Sequence, residues 1–503
     1  MHREPSWIKV IDQTRCIGCH ACSTACKSEN QVPLSVNRTY VKSVDVGQHP
    51  QARRFFQVTR CNQCADPPCV AACPTAAMFQ RPDGIVDFVK SSCIGCKACI
   101  AACPYDAIFI NPDDHSAEKC NFCAHRVDVG LEPACVVVCP TQAIMIGHRD
   151  DPASPAAAMI NRDPVTVRRP EKATQPQLFY KGAHAATLDP LAAARPPGGL
   201  FMWSQQWRGP HAVVSGHPGH ANSSAAAVLS YDVAHRAPWD WRVSLYTWTK
   251  SISAGVYLMA LALVVTGTLA PDHLLWQWVA PVVALLFLGI TGVILIADLE
   301  HPWRFYMIFT RPQWRSWLVR GAFIIAGYSG VLLAHLALSL AGEPDLQLTL
   351  GVLGAPLAAM TAVYTAYLFA QARARDLWQS ALLPAHMLVQ SVLAGAAVLA
   401  PAAVWLAPSC VPALLWTTAV AAAVHLLLVA GETSLAHATA HVQLAVHEMV
   451  AGTYRRYFWG SVAAIAAGLA APWGGALLAP MPLLGLIAYE HAYVQAAQAV
   501  PLA

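Results

Sequence analysis

Apolar positions are spread very unevenly along the chain. From about residue 246 onward they form eight long stretches, at 246–270, 274–298, 316–341, 347–370, 380–407, 411–431, 456–473 and 475–497. A helix that crosses a bilayer needs about 20 mostly apolar residues. A helix in water would show a polar face within that length. The pattern therefore predicts eight transmembrane helices. The last two are separated only by the break Ala471-Pro-Trp-Gly-Gly475. Glycine and proline inside such stretches are tolerated in membranes. Residues 151–240 show no long apolar period and are rich in Pro, Ala, Gly and His, with breakers such as Arg195-Pro-Pro-Gly-Gly199. They read as an extended linker, and His211, His217 and His220 within it as solvated linker histidines.

Charge divides the chain in the same place. Of 33 Lys+Arg and 29 Asp+Glu, residues 241–503 hold only 10 and 9. The first half is water-soluble in character and the second half is not. A length of 503 residues predicts two or more domains. The division expected is 1–150, a linker at 151–240, and a membrane domain at 241–503. With 55 % apolar and 12 % charged residues, a soluble globular enzyme and a disordered protein are both poor fits. A net charge of +4 makes no case for nucleic acid as a partner. The loops between spans alternate in charge. On the side of the soluble domain, the near side, they carry Arg304, Arg311, Arg315, Arg373, Arg375, Arg455 and Arg456. On the far side they carry no Lys or Arg, only Asp272, His273, Glu343 and Asp345. The positive-inside rule then places the near side in the cytoplasm, in a multi-pass protein of the inner (cytoplasmic) membrane. No secretory h-region or twin-arginine pair is seen near the start. The alternative is that the arginines serve docking and a twin-arginine-bearing partner exports the soluble domain to the periplasm.

Sixteen of the 17 cysteines lie between Cys16 and Cys139, in four groups of four. These are Cys16, Cys19, Cys22 and Cys26; Cys61, Cys64, Cys69 and Cys73; Cys93, Cys96, Cys99 and Cys103; and Cys120, Cys123, Cys135 and Cys139. The third has the full ferredoxin spacing C-x2-C-x2-C-x3-C-P, and the fourth cysteine of such a run ligates a different cluster from the first three. The proline redirects the backbone, because it cannot continue a helix. Four such groups predict four 4Fe–4S clusters. C-x2-C pairs alone would suit zinc, but the repeated C-x3-C-P endings argue against it. Gly18, Gly95 and alanines such as Ala71, Ala98 and Ala101 let backbone N–H groups approach cluster sulfurs. Cys410 reads as a small residue in a far-side loop.

Residues 6–150 resemble the four-cluster iron–sulfur subunit of the molybdopterin oxidoreductase superfamily, as in dimethyl sulfoxide, polysulfide and nitrate reductases. That family has interlocked ferredoxin-like units. The resemblance implies one cluster on Cys16, Cys19, Cys22 and Cys139 and a second on Cys26, Cys120, Cys123 and Cys135. It implies a third on Cys61, Cys64, Cys69 and Cys103 and a fourth on Cys73, Cys93, Cys96 and Cys99. Several segments of residues 245–500 resemble the polysulfide-reductase (NrfD-like) membrane subunit. They are Asp298-Leu-Glu-His-Pro-Trp-Arg-Phe-Tyr306, Arg311 to Trp317, Tyr364, Gln371 to Trp378, and Gly485 to Gln498. That resemblance implies eight helices in two four-helix bundles, quinone chemistry and no heme. The fold class expected is an α+β ferredoxin-like iron–sulfur domain joined to an all-α membrane domain of eight transmembrane helices.

Quinol oxidation releases protons and electrons together, so it needs ionisable groups near a cluster at the membrane edge. Ionisable residues at membrane depth are costly and mark function. Asp298, Glu300, His301 and Arg304 stand at the near-side end of the second span and are candidates for a site for menaquinone or ubiquinone. His335, His386, His425, Glu432, Glu490 and His491 are further candidates for that site or for a proton route. Some of them serve equally well as helix-end or interhelical hydrogen-bonding groups. Heme b, with His335, His386 or His425 as axial ligands, is the rival cofactor. His437 and His441 lie in a near-side connection. The sequence reads as the electron-transfer and membrane-anchor subunit of a molybdopterin-type oxidoreductase, with its main catalytic centre on a separate partner protein. The alternatives are a subunit of a non-molybdenum respiratory complex fed by cytochromes or flavoproteins, and a redox-driven ion-translocating module.

Overall fold

A computed structural model describes residues 6–47, 49–194 and 227–502. His211, His217, His220 and the breaker run at 195–199 lie outside the described residues.

The N-terminal half is built on small sheets. The strands are β1 Trp7–Asp12, β2 Thr39–Val46, β3 Arg53–Arg60, β4 Met78–Gln80, β5 Val86–Phe88, β6 Ile108–Ile110, β7 Ala117–Lys119, β8 Ile144–His148, β9 Val165–Thr166, β10 Leu178–Lys181 and β11 Val228–Tyr231. One sheet has the order β8-β1-β10-β9 and a second the order β11-β2-β3. The hairpins β4-β5 and β6-β7 follow the second and third cysteine groups. Each of those groups carries a single-turn helix, Pro68–Ala72 and Ala98–Ala102. Proline opens the first, where a missing N–H costs nothing. Lys97, in the left-handed conformation at φ 62°, turns the backbone into the second.

The segment after residue 150 is not an extended linker throughout. Residues 155–162 are helical, and β10 pairs in parallel with β1, Lys9 facing Leu178. β11 pairs antiparallel with β2, Val228 facing Asp45. Short strands with partners far away in sequence show no period of their own.

His235, just before the first long helix, is buried between Asp106 and Asp232, with Nε2 3.2 Å from Asp232 Oδ1. Burial disfavours its charge, but the two carboxylates outweigh this and push its pKa up to about 10. The pair Asp106–His235 ties the loop after Cys103 to the segment entering the membrane. A raised folded pKa stabilises fully below the unfolded value of about 6.5, and that stability is lost as pH rises through about 10. His235→Gln is therefore expected to lower thermal stability at pH 6, by about 3 kcal/mol. The gap to the wild type should close towards pH 10. A gap independent of pH would show that His235 is not held charged.

The C-terminal half is helical. Among the described residues, six helices are long and apolar enough to cross a membrane: α1 Trp241–Val265, α2 Leu275–Ala297, α3 Trp317–Ala341, α4 Pro344–Gln371, α5 Leu383–Leu406 and α6 Pro408–Ser434. Next comes α7 Arg455–Leu469, which passes only together with Ala471–Leu477, at a bend of 61°. The count is thus six or seven, against eight expected. The last helix, α8 Met481–Ala499, holds Glu490, His491, Gln495 and Gln498, and these lower its hydropathy. α1 packs on α2 and α4, and α3 on α2 and α4. α5 packs on α6 and α8, and α7 on α6 and α8. α1 also runs against α5, and here a Cβ on Gly255 would lie 1.8 Å from the Ser391 carbonyl oxygen.

The two halves share one core. Ala98, Ala101 and Ala102 of the third cysteine group pack with Trp239, Tyr246, Phe369 and Trp378 at the near-side helix ends. Phe369 and Trp378 stack with centroids 4.6 Å apart, and Trp239 lies 5.5 Å from Trp378.

Candidate functional site

Each single-turn helix faces a small cavity. One is lined by Cys73, Cys93, Cys96 and Cys99, together with Thr75, Gly95 and Ala117. The other is lined by Cys61, Cys64, Cys69 and Cys103, together with Val86 and Tyr105. Helices Pro68–Ala72 and Ala98–Ala102 pack on each other, which joins the second and third groups. Helix Ala21–Glu29 packs on Ala134–Val137, which joins the first and fourth. Asn30 Nδ2 stands 3.7 Å from both Cys26 Sγ and Cys123 Sγ. All the cysteines are unpaired thiols. Burial pushes Cys26 and Cys103 up to about 12. Backbone N–H groups nevertheless point at sulfur: Met78 to Cys73 at 3.3 Å, Gly95 and Ala117 to Cys93 at 3.4 Å, and Ala143 to Cys139 at 3.2 Å. Donors aimed at buried sulfurs around a small cavity fit thiolates that ligate a cluster.

The third group is also where the membrane half docks. Lys97 Nζ donates to the Asp298 carbonyl at 3.2 Å and pairs with Glu300 Oε1 at 3.1 Å and Asp298 Oδ1 at 3.7 Å. The backbone N–H of His301 donates to the Ile94 carbonyl at 3.2 Å. Arg304 Nη1 donates to the carbonyls of Lys90 and Cys93 at 3.0 and 2.9 Å. Gly95 has φ +70°, and a Cβ there would lie 2.4 Å from Glu300 Cβ, so glycine is required by both conformation and space. Trp239 Nε1 donates to the Cys96 carbonyl at 3.2 Å.

Beside this seam lies an apolar cavity of about 230 Å³, between α1, α2, α3 and α4. Its lining includes Cys96, Trp239, Tyr246, Asp298, Phe305 and Tyr364. Asp298 Oδ1 is buried and accepts no hydrogen bond, because 3.7 Å from Lys97 is too long for one. Among the described residues it is the only carboxylate on the cavity wall.

Of the residues expected at the site, Asp298 lines the cavity, while Glu300, His301 and Arg304 face the cysteine domain. His335 stands elsewhere: its Nδ1 meets Tyr257 Oη at 3.1 Å and its ring lies against Trp276. Neither neighbour lines the cavity. His386, His425 and Glu432 form a separate cluster, with His386 Nε2 2.9 Å from His425 Nδ1 and Nδ1 3.3 Å from Glu432 Oε1. Tyr489 Oη donates to Glu432 Oε2 at 2.9 Å. Lys250 links the two regions. Its Nζ donates to Thr365 Oγ1 at 2.8 Å and sits 4.9 Å from the centre of the Tyr364 ring. Buried Glu490 is near enough to act on Lys250 through its charge. Tyr246, Lys97 and Lys250 were not among the expected residues. A lone lysine ten residues into an apolar span was a legible signal for Lys250.

Comparison with known proteins agrees with this geometry. Residues 52–149 match the 4Fe-4S dicluster domain, and residues 230–478 match the family "Polysulphide reductase, NrfD". Over 200 residues the sequence is 42% identical to a tetrathionate reductase subunit of Salmonella typhimurium, covering 39% of this chain and 79% of that protein. Over 173 residues it is 42% identical to a component of the polysulfide reductase of Wolinella succinogenes, covering 34% of this chain and 91% of the relative. A putative dimethyl sulfoxide reductase iron-sulfur subunit of Halobacterium salinarum is 39% identical over 201 residues, covering 34% and 77%. The soluble half is thus an iron–sulfur electron-transfer subunit. The protein belongs to this family of reductase iron–sulfur subunits, with an NrfD-type membrane domain fused behind it.

Proposed function

We propose that this protein carries electrons between a molybdopterin-containing catalytic partner and a quinone held in the 230 Å³ cavity. One observation carries the reading: Cys96 and the carboxylate of Asp298, whose buried Oδ1 accepts no hydrogen bond and has only the longer ion pairs to Lys97 and Arg242, line the same apolar space. Four 4Fe–4S clusters supply one-electron steps along the soluble domain. The ligand sets are those implied by resemblance. Cys73, Cys93, Cys96 and Cys99 hold the membrane-side cluster, and Cys61, Cys64, Cys69 and Cys103 the next. Cys26, Cys120, Cys123 and Cys135 follow, and Cys16, Cys19, Cys22 and Cys139 hold the outermost. The two cysteine-lined cavities and the paired helices support this order. Cys19 and the nearby Ile17 are both exposed, a surface suited to the catalytic partner.

In the membrane, Asp298 Oδ1 takes the proton of the ring hydroxyl, or returns it when flow reverses. Tyr246 and Tyr364 bound the ring, and the apolar walls exclude water. Lys250, Glu490 and His386 offer a proton route from Tyr364 towards Glu432 at the near-side end of α6. His335, on its separate cluster, lies off that route. Heme has no part in this reading, since His386 and His425 are bonded to each other. We place eight spans in two four-helix groups, with α7 and its bent continuation as the seventh and α8 as the eighth. The pairwise packing of α1–α4 and of α5–α8 supports this. The domains are then the cluster domain at 1–150, a connection at 151–240 that contributes β9, β10 and β11, and the quinone-binding domain at 241–503, with the near side in the cytoplasm.

Iron content tests the reading. The anaerobically purified protein should hold about sixteen irons, four per cluster. Cys96→Ser should lose or convert one cluster. Cys410→Ser should lose none, because Cys410 is buried at a far-side helix start with its sulfur 3.6 Å from the Thr268 carbonyl. Stoichiometric zinc with little iron would refute the assignment.

A further inference from the structure

We propose that Arg60, assisted by Lys9, sets the reduction potential of the cluster carried by Cys135, holding it above the value that its buried thiolates alone would give. This rests on the ligand sets above.

Arg60 ends β3 and is 1 % exposed, and its Nη1 donates to Cys135 Sγ at 2.9 Å. Its Nε and Nη2 are buried without a protein partner. Lys9 of β1 is 3 % exposed, with Nζ 4.0 Å from the same sulfur and 4.3 Å from the centre of the Phe122 ring. Among the described residues, neither cation pairs with a carboxylate. A buried cation without a counter-charge is strongly destabilising. The negative charge that offsets it must come from sulfur, and Cys22, Cys120 and Cys135 surround the guanidinium.

The membrane-side cavity differs, because its sulfur contacts are the backbone N–H groups of Met78, Gly95 and Ala117. Reduction adds one negative charge to a cluster. A fixed cation at contact distance in a low-dielectric interior stabilises that added charge and raises the potential. The relay is therefore electrostatically uneven, with a direct guanidinium–sulfur contact at Cys135 and buried Lys119 beside the Cys61 group.

The test is a potentiometric titration of the purified full-length protein followed by electron paramagnetic resonance, with iron measured in parallel. In Arg60→Gln, the midpoint of the Cys135 cluster should shift most to lower potential, with a smaller shift at the Cys22 cluster, while iron stays near sixteen per protein. Lys9→Met should shift the same midpoint less, because its charge stands farther away. Arg60→Lys should restore most of the shift. Four unchanged midpoints in Arg60→Gln with full iron would overturn the proposal, as would an Arg60→Lys shift as large as that of Gln. If Arg60→Gln loses iron, Lys9→Met decides, and unchanged midpoints there would overturn it. Iron loss in all three variants would make the pair an assembly determinant and also overturn it. A wild type with far fewer than sixteen irons would instead fault the ligand assignment.

Discussion

Asp298→Asn is expected to keep every cluster and full reduction by dyes while losing quinone-linked turnover by about 100-fold or more, the usual contribution of a positioned proton acceptor. The substitution preserves shape. It also preserves the Asp298 carbonyl that accepts from Lys97 at 3.2 Å, so the docked cysteine loop stays in place. What disappears is the one carboxylate on the cavity wall. Asp298→Glu should recover part of the rate, since it restores the acceptor at a displaced position. The measurement pairs quinol oxidation with dye-linked reduction on the same preparation. Normal quinone turnover in Asp298→Asn would clear this residue and put the proton acceptor elsewhere.

Gly255→Val should prevent the membrane domain from assembling. The α1 and α5 backbones touch at this point. A Cβ on Gly255 would lie 1.8 Å from the Ser391 oxygen, and one on Gly395 would lie 2.2 Å from the Gly255 carbonyl carbon. Small residues let membrane helices approach this closely, and packing rather than a hydrophobic drive holds them. Overpacking alone costs about 1–3 kcal/mol, and a backbone collision costs more. Loss of monodisperse protein in detergent would be the readout. A Gly255→Val protein that elutes and melts like the wild type would show that α1 and α5 separate freely. Gly289→Val, with nothing within 4 Å of its Cβ, is the control expected to behave normally.

Some of this architecture was legible in the residues and some was not. Cysteine spacing is a local code, so the groups were readable one by one. The apolar stretches were equally local, and six of the helices follow them closely. α8 was harder to classify, because the residues that give it chemistry, Glu490 and Gln498 among them, are the ones that dilute its hydropathy. Asp298 was found because it sits at a near-side span end. His335, nineteen residues into α3, lies towards the opposite side, and the alternation of spans already separates the two. The strands β10 and β11 were missed because each pairs with a strand more than a hundred positions away, and β9 because it is two residues long and pairs only with β10. Nothing local in the sequence marks Arg60. Only the fold shows that it is buried against sulfur.

The continuous core between the cysteine domain and the helix ends has a kinetic consequence. Both sides of that junction belong to one polypeptide, so their encounter is intramolecular. Its effective concentration is fixed by covalent connection and does not fall on dilution. On the proposed function, electron passage between Cys96 and the cavity is then a first-order event, with the same rate in a dilute detergent extract as in a crowded membrane. Weakening a docking pair such as Lys97–Glu300 would change how often the junction is closed, but it would not release either half.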